Sequence, residues 1–236
     1  IAFSLIMNLL FSEAGNRIFK LKYKGSFVLM NSFSNAGFLG LPICWILFGD
    51  IGLFYWALYI LIESLLHYSL GIFASVYSES GKLILSAKKV GRFPAFWILG
   101  TVFLFIISGI NIPPQFTSVL EIISKLTLGM AVFYIGSNIV KPENIHEFFN
   151  ECSYVAIFRF LISPLIILFP LLYFGVEYYY ILVLEAMMPP AIGNTIVAGY
   201  YKLNEKLCAN ITITLIMIFL SIFFILSGFF AIIGIF

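Results

Sequence analysis

Three ionisable side chains stand inside long apolar stretches of the sequence. Glu63 and His67 are four residues apart, on one face of a helix, and Glu185 lies one helical turn before a proline pair. Such groups can carry a proton or hold a coupling cation; the alternative is a structural role, as a satisfied pair or a hydrogen bond to a neighbouring helix. Glu63, His67 and Glu185 are therefore candidates for binding a coupling ion or a proton.

Two apolar stretches also contain residues that interrupt helices. The first reads Asn31-Ser-Phe-Ser-Asn-Ala-Gly-Phe-Leu-Gly-Leu-Pro42, and the second reads Met187-Met-Pro-Pro-Ala-Ile-Gly-Asn-Thr195. Because proline lacks an N–H and glycine permits unwinding, we expect the first stretch to unwind between Asn35 and Pro42. In a membrane, freed backbone groups must be buried in protein or line a wet cavity. The alternative is a kinked helix that packs closely through its small residues.

The composition indicates an integral membrane protein. Of 236 residues, 62% are hydrophobic and 10% are charged, and the mean hydropathy is +1.07. This composition excludes nucleic-acid binding and a separate globular catalytic domain, and we expect about seven or eight spans. Three widely spaced cysteines and two histidines suggest no disulfide framework, metal site or cofactor. The first apolar run, 1–12, is about half a span long, which suggests that the chain is N-terminally incomplete.

The apolar runs and the basic residues between them predict the topology. Seven full candidate spans follow the partial run at 1–12: 26–49, 52–77, 94–110, 116–139, 153–175, 178–200 and 207–236. Among the connections, only the odd-numbered ones contain lysine or arginine; they are therefore cytoplasmic, with the C-terminus outside. The basic connection 80–93 suits either an amphipathic helix on the inner leaflet or an ordinary solvated loop. Arg159, about two turns inside the membrane, is expected to snorkel to the cytoplasmic interface.

The two interrupted runs cross the membrane in opposite directions in this topology. Matched interrupted segments of opposite orientation are typical of inverted-repeat transporters, and they place the binding site where the breaks meet. Helix N-termini directed at that point offer free N–H groups and partial positive charge, which favours a small organic anion. Asn35, Asn194 and Thr195 can add neutral hydrogen bonds.

Several motifs in order along the chain carry a family resemblance. They include the following segments: Asn35-Ala-Gly-Phe-Leu-Gly-Leu-Pro42, the Gly49-Asp50 turn, Phe93-Pro94, Gly129-Met-Ala-Val-Phe133 with Gly136, Arg159 with Ser163-Pro164, and Leu184-Glu-Ala-Met-Met-Pro-Pro-Ala191. With these motifs the chain resembles the auxin efflux carrier family, whose members include bacterial malate and malonate carriers and plant auxin exporters. Each motif alone is weak, whereas the set is specific.

The resemblance implies an all-α membrane protein of the sodium/bile-acid symporter-like fold. Ten helices would form two inverted five-helix repeats, a scaffold domain and a transport domain, with the broken fourth and ninth helices crossing. Residues 1–78 would then end the first repeat (partial helix 3 and helices 4–5), 79–93 would be a cytoplasmic connection, and 94–236 the second repeat (helices 6–10). The crossover residues carried over from the family are Asn35, Gly37, Gly40, Pro42, Pro189, Pro190, Asn194 and Thr195. Glu63, His67 and Glu185 match no family motif, and their roles rest on physical arguments alone.

The expected function is secondary transport and not enzymatic catalysis. We expect a carrier that moves a small organic anion, such as malate, malonate or an auxin-like acid, out across the cytoplasmic membrane by elevator-like motion. The alternatives are a sodium-coupled symporter of bile-acid type, a non-transporting receptor or structural membrane protein, and an intramembrane enzyme built on Glu63 and His67. The expected partners are the anion, H⁺ or Na⁺, the lipid bilayer and, as an option, a second copy in a homodimer.

Overall fold

The computed structural model describes residues 1–109 and 113–232, which form helices and contain no β-strand. The α-helices are α1 (Ala2–Ile18), α2 (Lys24–Ser32), α3 (Leu41–Leu66), α4 (Ile72–Ser80), α5 (Leu83–Gly91), α6 (Pro94–Ile107), α7 (Pro114–Ser137), α8 (Ile145–Ile157), α9 (Ser163–Tyr173), α10 (Tyr179–Ala186), α11 (Ile192–Tyr200) and α12 (Glu205–Ile232). Three π-helical turns adjoin them: Ala36–Gly40, His67–Gly71 and Phe158–Ile162. The end of the last predicted span, 233–236, lies outside the described residues.

Several helical stretches are long and apolar enough to cross a bilayer. Within the described residues these are Ala36–Ser80, Gln115–Ser137, Ile145–Tyr173 and Glu205–Ile225, and the bent pair Leu83–Gly91 and Pro94–Ile107 adds a fifth if it is one span. The protein is therefore a multi-pass helical membrane protein. By contrast, α2, α10 and α11 have eight or nine residues each. A helix of that length rises only about 13 Å, too little to cross a core of about 30 Å alone.

Gly49 divides the first long stretch in two. Its backbone has φ 58° and ψ −145°, a conformation that only glycine adopts readily, and it interrupts the helical geometry of α3. The interruption lies between the predicted spans 26–49 and 52–77. The Gly49-Asp50 turn expected from the sequence thus coincides with a real change of backbone direction.

The first break begins earlier than predicted. The chain is extended at Phe33, with φ −120° and ψ 124°, and helical geometry resumes at Ala36. The prediction of unwinding between Asn35 and Pro42 therefore holds only in part: Asn35 lies outside helical geometry and Ala36–Gly40 is a π-helical turn, but the extended backbone precedes Ala36. Pro42 lies in the first turn of α3, directly after a π-helical turn that is closed by Gly40 N–H donating to the Asn35 carbonyl at 3.0 Å.

Short α2 forms the centre of the molecule. All of its residues from Gly25 to Ser32 are buried, and its apolar side chains join the largest hydrophobic cluster together with residues of α4, α8, α11 and α12. Helix α6, by contrast, is the least enclosed: within the described structure, none of its residues is buried. The break that follows α2 is therefore enclosed by protein, as polar backbone in a membrane must be.

Gly40 is predicted to be needed for packing. A Cβ atom at this position would collide with the Trp56 indole, whose Nε1–H donates to the Ala36 carbonyl at 3.1 Å. We expect Gly40→Ala to lower the free energy of unfolding by about 1–3 kcal/mol, as overpacking does. Equilibrium denaturation in detergent checks this value.

Gly37, three residues earlier, is the matched control for that substitution. It is exposed, and a Cβ atom added at this position would meet no other atom within 4 Å. Gly37→Ala is therefore expected to leave stability nearly unchanged. Equal losses of unfolding free energy in Gly37→Ala and Gly40→Ala would show that the contact with Trp56 is not the reason for glycine at position 40.

Candidate functional site

The two interrupted segments pair with each other through their backbones. Asn35 N–H donates to the Pro189 carbonyl at 2.7 Å, and Ala191 N–H donates to the Phe33 carbonyl at 3.0 Å. These bonds flank an antiparallel bridge between Ser34 and Pro190. We call residues 33–35 and 187–191 the paired breaks. Each break supplies partners for backbone groups that the other has freed from helical bonding.

A helical segment begins directly after each break. The π-helical turn starts at Ala36 and α11 starts at Ile192, and the first N–H groups of such segments have no partner within the helix. Two positive dipole ends therefore lie beside the paired breaks, although the Asn194 N–H already donates to the Ala191 carbonyl at 3.0 Å. This arrangement is electrostatically suited to a small anion.

Polar side chains at the start of α11 retain free hydrogen-bonding capacity. Asn194 donates from Nδ2 to the Phe33 carbonyl at 3.1 Å, while its Oδ1 has no partner in the described structure. Thr195 Oγ1 is likewise unpartnered, and both side chains are fully buried. Asn35, 3% exposed, lies in the facing break. The neutral hydrogen-bonding groups predicted from the sequence are thus brought to one place.

The eight predicted crossover residues do not all lie at the paired breaks. Those brought together there are Asn35, Pro189, Pro190 and Asn194. Thr195 is buried next to Asn194 in α11. Gly37 is exposed on the π-helical turn, and Pro42 is exposed in the first turn of α3. Gly40 packs against Trp56. Pro42 and Gly40 shape the helix that follows the first break. Both lie at least one helical turn along the chain from the residues that pair with the second break.

Two glutamates predicted as ion or proton candidates meet at one serine. Glu63 Oε1 accepts from Ser34 N–H at 2.7 Å and lies 2.8 Å from Ser34 Oγ. Glu185 Oε1 lies 2.7 Å from the same Oγ. Ser34 is central in the first break, so the carboxyl groups of α3 and α10 are joined through the paired breaks.

His67 is placed apart from the hydrogen bonds of Glu63. Its ring stacks on Phe33 at 4.2 Å and on Tyr68 at 4.8 Å between centroids, and its Nε2 has no partner in the described structure. Glu63 bonds to Ser34 instead. The structure therefore contains no hydrogen bond between Glu63 and His67, and the role of both residues in binding a proton or a coupling cation stays a prediction.

The prediction that Arg159 snorkels to the interface was wrong. Its side chain is 1% exposed and donates from Nε to the Met188 carbonyl at 2.9 Å and from Nη1 to the Asn31 carbonyl at 3.1 Å. It therefore joins the end of α2 to the second break. Freed carbonyls and two buried glutamates near its charge favour the interior over a distant interface.

Sequence reasoning missed Arg159 and Ser34 as residues of this site. Arg159 carried a usable signal, because an arginine within a span usually faces protein or a water-filled cavity and marks function. Two intramembrane glutamates also require a compensating charge. Ser34 carried no comparable signal, since one serine among several small residues is not distinctive.

Unpartnered buried polar atoms are concentrated around the paired breaks. Seven of the thirteen such side-chain atoms in the described structure belong to residues in, beside or bonded to the breaks: Asn31 Oδ1, Ser32 Oγ, His67 Nε2, Arg159 Nη2, Glu185 Oε2, Asn194 Oδ1 and Thr195 Oγ1. Native proteins leave few such atoms without a partner, so a cluster of them points to water, an ion or a ligand. The arrangement can therefore bind a polar ligand between two broken helices.

These features define a multi-pass transporter-like membrane protein, and comparison with known proteins identifies its family. Residues 82–227, more than half of the chain, match the family described as membrane transport protein, which is auxin efflux carrier-like. The chain belongs to this family, and it is a membrane transport protein.

Curated relatives agree with this assignment. An uncharacterized transporter of Methanocaldococcus jannaschii, MJ1031, is 26% identical over 213 residues, covering 87% of this chain and 69% of that protein. The uncharacterized transporter YfdV of Escherichia coli K12 is 25% identical over 183 residues, covering 72% of this chain and 56% of that protein. The chain thus spans roughly half to two thirds of the length of these relatives.

Proposed function

We propose that the protein is a secondary carrier that moves a small organic anion, such as a dicarboxylate or an auxin-like acid, across the cytoplasmic membrane. The observation that carries this proposal is the backbone pairing of the two breaks, each of which is followed by a helix N-terminus. Asn194 and Thr195, at the start of α11, add buried polar atoms without partners in the described structure. Positive dipole ends and neutral donors bind a carboxylate without an ion pair that would slow its release.

The proposed architecture is two inverted five-helix repeats that meet at the paired breaks. Residues 1–78 would belong to the first repeat, 79–93 to the cytoplasmic connection and 94–236 to the second repeat. The two breaks would move as one body because they share backbone hydrogen bonds, which suits elevator-like transport. Export as the direction and an outside C-terminus remain part of this proposal.

A sodium-coupled symporter is the second candidate. Glu185 Oε2, Asn194 Oδ1 and Thr195 Oγ1 are buried oxygen atoms without partners, and oxygen is the ligand that Na⁺ takes at broken transporter helices. The two candidates differ in one measurable property: a symporter requires a sodium gradient, whereas a proton-linked or passive carrier does not.

Counterflow in proteoliposomes tests the proposal. The full-length natural protein is reconstituted with unlabelled malate, malonate or indole-3-acetate inside and the labelled compound outside, with and without sodium. We expect saturable counterflow of at least one anion. Sodium dependence would select the symporter, while no counterflow of any anion by a monodisperse protein would contradict the carrier proposal.

A further inference from the structure

Three ionisable side chains are enclosed together beside the paired breaks. Glu185 is fully buried, Arg159 is 1% exposed and Glu63 is 6% exposed. Arg159 interacts electrostatically with both glutamates but forms no salt bridge within 4.0 Å with either carboxylate. The salt bridges among the described residues are Arg17–Glu13 and Lys125–Glu121. With both carboxyl groups ionised, this site would carry a net charge of minus one away from water, which is strongly unfavourable.

The contacts of Ser34 show how that charge is avoided. Its single hydroxyl proton faces two carboxyl oxygens, 2.8 Å away in Glu63 and 2.7 Å away in Glu185. If both carboxyl groups were ionised, one of these short contacts would join two lone pairs with no proton between them. A proton on one glutamate turns both contacts into hydrogen bonds.

The hydrogen-bond partners indicate which glutamate carries the proton. Glu63 Oε1 also accepts from Ser34 N–H at 2.7 Å, as an ionised carboxylate does. Glu185 accepts no backbone N–H in the described structure; besides Ser34, its hydrogen-bond partner is the neutral hydroxyl group of Tyr59. Protonated Glu185 therefore donates to Ser34 Oγ, and Ser34 Oγ–H donates to ionised Glu63, whose charge balances Arg159.

The other ionisable groups around this cluster do not supply a compensating charge. Tyr59 interacts with both glutamates, Tyr68 with Glu63 and Cys44 with Glu185, and all three are ordinarily neutral at neutral pH. His67 is stacked between aromatic rings with Nε2 unpartnered, an environment that suits the neutral ring.

We propose that Glu185, Ser34 and Glu63 form a binding site for a single exchangeable proton, balanced by Arg159, at the point where the two breaks pair. Release transfers the proton from Glu185 to water, which breaks the Glu185 O–H bond, forms hydronium and leaves a second carboxylate. The two carboxylates then repel each other across Ser34, which loosens the contact between α3, α10 and the first break. Coupling of this proton to anion movement rests on the proposed function; the proton site itself does not.

Infrared spectroscopy of the purified protein tests the site without any substrate. At neutral pH the wild type is expected to show the carbonyl stretch of a protonated carboxyl group, shifted in heavy water and absent from Glu185→Gln. Glu63→Gln should also remove it, because Glu185 then ionises to balance Arg159. Ser34→Ala should shift the band, and Glu143→Gln, an exposed glutamate before α8, should leave it unchanged.

The proposal is overturned if the wild type lacks the band at neutral pH or if Glu185→Gln retains it. Loss of the band on adding sodium at constant pH would also overturn it and assign the site to Na⁺. Each variant must elute as a single monodisperse peak in size-exclusion chromatography. If a glutamate variant fails to fold, Ser34→Ala still tests the proposal, because an unshifted band in that variant would contradict it. A band without any anion counterflow would sustain the proton site while the carrier proposal fails.

Discussion

Replacing Arg159 with methionine is expected to lower the free energy of unfolding by about 3–5 kcal/mol. The substitution keeps an unbranched apolar chain but removes the only cation near Glu63 and Glu185 within the described structure. It also removes the donors to the Met188 and Asn31 carbonyls. Leaving one member of a buried charge set uncompensated has effects of this size in other proteins. Equilibrium denaturation in detergent micelles measures the loss.

A second substitution separates the charge from the hydrogen bonds. Adding Glu63→Gln to Arg159→Met restores electrical neutrality, so the double variant should be more stable than the sum of the single effects predicts, by about 1 kcal/mol or more. Arg17→Met is the matched control, because the Arg17 side chain is 66% exposed and pairs with Glu13 at the surface. Its loss should stay below about 1 kcal/mol. Similar losses for Arg159→Met and Arg17→Met would contradict the assigned role.

Asn194→Ala is expected to lower the counterflow rate about 10- to 100-fold. A hydrogen bond to a charged group contributes roughly 1.5–3 kcal/mol, and Asn194 can offer one to a bound carboxylate. The fold should survive, since the Phe33 carbonyl still accepts from Ala191 N–H after Nδ2 is removed. Initial rates in proteoliposomes, normalised to reconstituted protein, measure the effect.

Two further variants sharpen this test. Asn35→Ala should cause a comparable loss, because its side chain lies in the facing break. Asn150→Ala, on the exposed surface of α8, should transport at the wild-type rate. Undiminished flux in both Asn35→Ala and Asn194→Ala would place the anion site away from the paired breaks, even if the protein is a carrier.

The coupling of proton movement to anion transport can be measured in the same vesicles once a transported anion is known. A pH-sensitive dye should report proton movement with the anion, and Glu185→Gln should abolish that movement. Anion flux without proton movement in the wild type would separate transport from the proton site.

The sequence by itself determined the class of protein and the positions of its breaks to within a few residues. Apolar content left no alternative to a helical membrane protein, because backbone in lipid must satisfy its own hydrogen bonds. Proline pairs and glycines indicate interrupted helices because their effect on backbone geometry is local and can be read from a few consecutive residues. For the same reason the predicted turn at Gly49 coincides with the observed positive φ.

Only the tertiary structure decided which polar residues meet. The Pro42 motif predicted a break several residues too late, because the observed break depends on pairing with residues 187–191 that are distant in sequence. The spacing of Glu63 and His67 favoured a local pair, yet Glu63 bonds to Ser34 and thereby approaches Glu185. Arg159 was expected at an interface and lies in the interior. Burial and long-range hydrogen bonding determine the partners of ionisable groups, and helical periodicity alone does not specify either.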